Sequence, residues 1–367
     1  MIREPKKDMM RLSMLALVLF CAISCKQTTP TATQHVEVPA TLQIQTIDTF
    51  AVQSSVRALE VVDAQTIWWA GSEGRYGFTR DGGQHWTIDS LRLDTLVPHF
   101  RAIAVTEEAV FLLSIASPAL LFRSTDQGQN WDLVYREDHP AAFYDAMAFW
   151  DQEHGIAMGD PTDGCLSVIL TQDGGKHWAK VDCNLLPPTE EGEAAFAASN
   201  SNIALFGQQA WLVSGGKRAR VFHSPDRGQS WSVYETPIAQ GGQMTGIFSA
   251  DFYDEQQGII FGGDWNEKDR NSGNKATSKD GGRTWQLLID GEGPGYQSCI
   301  RYLPGSEGKA LLSCGIPGMN YSADAGQSWQ KLSSESWYTL RFGPTWQTTW
   351  LAGNGKIGRI NWQDIPQ

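Results

Sequence analysis

Four arginines and two carboxylates are the residues whose types and spacing could do chemistry. Arg57, Arg101, Asp145 and Arg301 each stand near the start of a short apolar stretch with strand character. Arg57, Asp145 and Arg301 each precede a glycine by fourteen residues, namely Gly71, Gly159 and Gly315. Arg341 sits two residues off that register, which keeps it on the same strand face. In two further stretches the matching position is Glu193 or Ser201, and Phe248 or Ser249. Guanidinium forks suit carboxylates and phosphates. In a chain of net charge −12 an arginine cluster is not expected from composition. It reads either as a site for an anionic ligand or as an internal ion network with Asp145 and Glu193.

The elements that must position these residues are set by a repeat. Ser124-Thr125-Asp126-Gln127-Gly128-Gln129-Asn130-Trp131 recurs with small changes as Ser/Thr-x-Asp-x-Gly-x-x-Trp. Its aspartates are Asp81, Asp126, Asp173, Asp226, Asp280 and Asp324. Their spacing matches one four-stranded propeller blade per repeat. Each copy lies between apolar strand patterns and reads as a tight turn. The aspartate accepts backbone N–H groups, the glycine supplies a positive φ, and the tryptophan buries its ring between sheets. These aspartates are read as structural.

After Trp329 three more strand patterns follow without the repeat, in residues 338–343, 349–353 and 356–362. The alternating stretch 41–50 supplies the missing fourth strand and closes the ring. The expectation is an all-β, seven-bladed β-propeller with six repeats and N-terminal strand closure. Parallel inner strands would then carry Arg301, Arg341, Arg57 and Arg101 to one mouth of the channel, away from the repeat turns. Asp160 and Asp264 open long loops on that face and either line the rim or cap loop turns, with turn capping favoured.

The N-terminus reads as a targeting segment. Arg3, Lys6, Lys7 and Arg11 precede a short apolar run, then Ala22-Ile23-Ser24-Cys25. The run is too short for a comfortable membrane span. Residues 1–24 are expected to be a lipoprotein signal, 25–40 a flexible tether, and 41–367 the propeller. Cys25 is the expected lipidation site, the segment resembling a bacterial lipoprotein signal. An exported chain permits disulfides. Cys165 with Cys183, and Cys299 with Cys314, flank their own hairpins and are expected to pair. No histidine accompanies either pair at a zinc-like spacing, so no metal is assigned.

The repeat resembles the Asp box, or BNR repeat, of sialidases, sortilin-type receptors and the photosystem II assembly-factor family. The arginine-led inner strand, glycine-ending second strand and Asp box resemble most the BNR-like propellers of that last family. This resemblance implies a protein-binding scaffold with an arginine-rich face, and the lipoprotein-like signal leads to the expectation of a lipid anchor in the cell envelope. Partners would be a protein or an anionic ligand. The acidic balance argues against general nucleic-acid binding. The alternative is a sialidase-like glycoside hydrolase acting on acidic glycans, with Tyr144 or Tyr338 as nucleophile, Asp145 as acid and Glu193 as helper. No glycine-rich dinucleotide motif lies between a strand and a helix, so no cofactor is assigned.

Overall fold

Short apolar runs punctuated by glycine turns form strands throughout residues 38–363, the part of the chain that the computed structural model describes. The signal, Cys25 and most of the tether lie outside the described residues. Apart from a single 3-10 turn at Cys183–Leu185, the described elements are all strands. They form six hydrogen-bonded sheets. Neighbouring inner strands pack against one another in a closed ring.

The expectation of seven separate blades is corrected to six sheets. Two strands run unbroken where two separate ones were expected. Ile44–Val61 serves first as an outer strand and then as an inner one, and Thr349–Trp362 spans two strand lengths. They pair antiparallel from Ile44 opposite Trp362 to Ser55 opposite Asn354. One six-stranded sheet therefore holds the C-terminal strands together with the first hairpins. The N-terminal strand does close against the C-terminal one, which removes a free edge.

The Asp boxes fasten each sheet to its neighbour. In the second copy Ser124 Oγ donates to Asp126 Oδ1 (2.9 Å), and the Gly128 and Asn130 N–H groups donate to Ser124 Oγ and Asp126 Oδ1 (both 2.8 Å). Gly128 has φ +83°, a region that favours glycine. Trp131 then packs edge-on against Tyr76 of the preceding sheet and donates its indole N–H to the Tyr76 hydroxyl (3.1 Å). The box turns also bond to the first hairpin turns, as in Gly82 N–H to Gln65 O (3.0 Å) and Gly174 N–H to Glu153 O (3.0 Å). Both kinds of turn therefore lie on one face. The core fills the spaces between sheets, as where Trp211 stacks on Phe252 with centroids 3.6 Å apart.

The channel is not open from end to end. Residues 195–202, Ala-Phe-Ala-Ala-Ser-Asn-Ser-Asn, thread it. Asn200 Nδ2 donates to Ile103 O, and Asn200 Oδ1 accepts the Met147 N–H (both 2.9 Å). Ser199 Oγ donates to Ser298 O (2.6 Å), and Ser199 O accepts from Thr339 Oγ1 (2.9 Å). Ser201 Oγ donates to Ser249 Oγ (2.8 Å). One segment thus ties together inner strands from several sides, and its small side chains let it pass. Asn200→Ala would orphan two buried backbone groups. It is expected to cost about 2–4 kcal/mol, readable by urea unfolding, since each stranded group costs roughly 1–3 kcal/mol. A loss under about 1 kcal/mol would mean that the segment does not hold the ring.

Candidate functional site

The inner strands carry β-bulges. They fall between Val56 and Ala58, Phe100 and Ala102, Tyr144 and Ala146, and Ile247 and Ser249. The extra residues are Arg57, Arg101, Asp145 and Phe248, so a bulge re-aims each of these side chains. The facing strand leaves room for it. A Cβ at Gly159 would lie 2.1 Å from Phe143 O, and one at Gly262 1.9 Å from Gly246 O.

Arg57 and Arg101 line a cavity of about 400 Å³. Its walls are largely apolar: Phe143, the alanines 194, 195, 197 and 198, Phe196, Met244, Phe248, Trp265 and Tyr296, with Gln243 and Asp160 as polar additions. Phe196 and Phe248 stack with centroids 3.9 Å apart. Trp265 is 39% exposed at the rim and carries the Lys268 ammonium over its ring. Arg57 donates to Ala198 O (3.3 Å), and its guanidinium lies 3.9 Å from the Tyr338 ring centroid. Arg101 has its Nη1 buried without a hydrogen-bond partner among the described residues. Burial first, and then the Arg57 charge, pull its pKa down to about 10, against an opposing effect of Tyr338. No carboxylate pairs with either arginine among the described residues.

Arg301 and Arg341 do not join them, which corrects the expectation of one four-arginine mouth. They hold the last-but-one pair before the first hairpin turn, opposite Leu312 and Trp350. Glu60, opposite Trp68, and Asp251, opposite Ile259, hold the same step. These four line a second cavity of about 290 Å³ together with Asn200. By the hairpin bonding it lies on the Asp-box side of the plug. There the charges pair internally. Arg301 Nη1 sits 3.1 Å from Asp251 Oδ1, and Arg341 Nε 3.7 Å from Glu60 Oε1. Arg341 also donates to Ser199 O (3.2 Å) and Asn200 O (2.8 Å). Burial raises both carboxyls against the lowering pull of the arginines.

The misplacement has a physical cause. Counting back from the second-strand glycine assumes hairpins of equal length. Residues 303–310 separate Tyr302 from Leu311, whereas only 62–66 separate Val61 from Ile67. The equivalent of Arg57 in that sheet is therefore Ser298, beside Gly315, and Arg301 stands three residues deeper, about 10 Å along the strand. In the last inner strand the mouth position falls to Tyr338, which lies under the Arg57 guanidinium.

Neither carboxylate serves as expected. Glu193 is held away from the arginine mouth by Arg220, which the sequence reading missed. Arg220 Nε donates to Glu193 Oε1 (3.0 Å), Nη2 reaches Oε2 (2.5 Å), and Ser214 Oγ donates to Oε1 (2.5 Å). Asp145 is fully buried, and both its carboxyl oxygens lack partners among the described residues. Burial, then the charge of Asp160, push its pKa well above the ordinary aspartate value. Its contribution to stability is therefore complete below the ordinary aspartate range and is lost as pH rises through the raised value. Asp145→Asn cannot ionise. The unfolding midpoint of the variant relative to wild type is expected to climb from pH 4 to pH 8, and a difference constant with pH would contradict the assignment.

The elements of a sialidase-like set are not assembled in either cavity. Tyr144 is fully buried and donates its hydroxyl to Glu137 Oε2 (2.7 Å). Asp264 caps its own loop, accepting the Asn266 N–H (2.8 Å). Asp160 lines the cavity rather than merely capping a turn. Cys165 and Cys183 are bonded, with Cα atoms 5.6 Å apart. Cys299 and Cys314 stand opposite one another yet remain free thiols, which corrects the second expected disulfide. The Cys299 sulfur is turned across to the next inner strand, within 3.7 Å of Leu340 O and 3.8 Å of Arg341 Nη1.

No family model matches the chain. The photosystem II assembly lipoprotein Ycf48 of Synechococcus sp. (strain CC9902) is 26% identical over 250 residues, covering 59% of this chain and 70% of the relative. A solved structure of YCF48 bound to D1 peptide superposes with TM-score 0.63 at 16% identity, over 88% of this chain and all of that one. YCF48 from Cyanidioschyzon merolae gives TM-score 0.61 at 13% identity, over 86% of this chain and 98% of that one. At such identities the structural matches speak for the propeller fold.

Proposed function

We propose that this chain, an Asp-box propeller resembling the photosystem II assembly-factor propellers, is a binding or assembly scaffold of the cell envelope, tethered by lipid on Cys25. The mouth lined by Arg57 and Arg101 takes an anionic group carried by a protein segment. One observation carries this reading: two guanidinium groups border an open, largely apolar cavity, and neither forms an ion pair among the described residues. Such forks await a planar anion, and the apolar walls exclude water around it. The relative whose solved complex holds a peptide supports a protein partner. The lipoprotein name of the Synechococcus relative supports the tether. Arg301, Arg341, Asp145 and Glu193 are assigned supporting roles, holding the plug and the sheet junctions around the site.

The test is calorimetric titration of peptides ending in a free carboxylate against their amides. Binding of the free acids, lost in Arg101→Glu, is the expected result. Equal binding of the amides would remove the anion from the reading.

A further inference from the structure

The mouth cavity has a second polar feature. Asp160 lines it, and Asp160 Oδ1 accepts the Ala195 N–H at 2.7 Å. Neither Arg57 nor Arg101 forms an ion pair with it among the described residues. The cavity therefore holds two guanidinium groups and one carboxyl that share its walls without neutralising one another. The rest of the lining is mostly apolar, phenylalanine, methionine, alanine and tryptophan with Tyr296, and Gln243 is its other polar side chain.

We propose that the cavity selects a ligand bearing both a carboxylate and an ammonium, joined by an apolar spacer. This rests on the anion-binding reading above and adds the second end of the ligand. The arginines take the carboxylate and Asp160 takes the ammonium. A carboxylate in an apolar wall is costly unless a cation or a proton joins it. The charged groups around Asp160 are Asp145 behind it, Glu193 with its partner Arg220 on the neighbouring strand, and the two cavity arginines. Asp145, raised by burial, sits beside Asp160 and supplies no cation. Burial pushes Asp160 up to about 6 against the lowering effect of the Ala195 N–H. It is thus mostly ionised at pH 7.5 and mostly neutral at pH 5.

The experiment titrates the full-length protein with 6-aminohexanoate, hexanoate and hexylamine by calorimetry at pH 7.5 and pH 5. At pH 7.5 the amino acid is expected to bind at least about tenfold more tightly than hexanoate, and that advantage should shrink at pH 5. Asp160→Asn should erase the advantage, leaving 6-aminohexanoate no tighter than hexanoate in the same variant. Arg101→Gln should weaken both carboxylates and spare hexylamine. Equal binding of hexanoate and 6-aminohexanoate at pH 7.5 would overturn the bipolar ligand and leave the anion site standing. Failure of both carboxylates to bind would overturn the anion site, and this inference with it. An advantage for the amino acid that survives both Asp160→Asn and pH 5 would place the ammonium elsewhere and overturn the role of Asp160.

Discussion

Arg101→Glu is expected to lower affinity for a carboxylate-bearing ligand by about a hundredfold or more, with little change in thermal unfolding midpoint. The affinity loss follows from removing one arm of a charge-assisted grip and installing a like charge in its place. Truncating one partner of a desolvated charged pair costs about 2–5 kcal/mol. The small effect on stability follows from what Arg101 does in the free protein. Its Nη1 has no partner among the described residues, and its charge is disfavoured by burial and by Arg57. Replacing it removes a repulsion and breaks no ion pair of the chain. Differential scanning fluorimetry beside calorimetry reads both quantities. A large fall in midpoint with unchanged ligand affinity would instead make Arg101 a framework residue.

Arg220→Ala is expected to have the opposite profile: a loss of about 3–5 kcal/mol in stability, because it strips the cation from a buried carboxylate. The Glu193 side chain is wholly enclosed, and Arg220 meets both its oxygens. Among the described residues, the Ser214 hydroxyl and the Glu190 N–H would remain for the charge. The double variant Glu193→Leu/Arg220→Met should recover most of that loss, since an apolar pair of similar volume leaves no buried charge. Urea unfolding of the wild type, the single variant and the double variant decides it. A single variant that loses under about 1 kcal/mol would show that water reaches Glu193.

Much of this architecture is legible in the amino-acid sequence. The Asp-box pattern foretold the turn chemistry: in each described copy the aspartate accepts a backbone N–H and the glycine has a positive φ. The alternation in residues 41–50 foretold its pairing with the C-terminal strand. The continuity of Ile44–Val61 was not legible, because nothing in a strand pattern marks where one sheet yields to the next.

The site was half legible. Arg57 and Arg101 reach the mouth because a bulge, opposite Gly71 in the case of Arg57, aims them there. Arg301 and Arg341 were misplaced because sequence distance to a glycine measures hairpin length as well as register. Counting from the first hairpin turn would have grouped them with Glu60 and Asp251. The plug had a signal that passed unread: a run of alanine, serine and asparagine in residues 194–202, interrupted by a single phenylalanine, is too small-sided to be a core strand. Arg220 carried no local signal, since its pairing with Glu193 depends on how distant strands meet.

The most direct test of the central claim is a crystal structure of the protein with a carboxylate-terminated peptide. The expected result is density for the terminal carboxylate between the Arg57 and Arg101 guanidinium groups, at about 2.7–2.9 Å from their nitrogens. The contradicting result is a peptide bound elsewhere, with Arg57 and Arg101 each closed against a carboxylate of the chain itself.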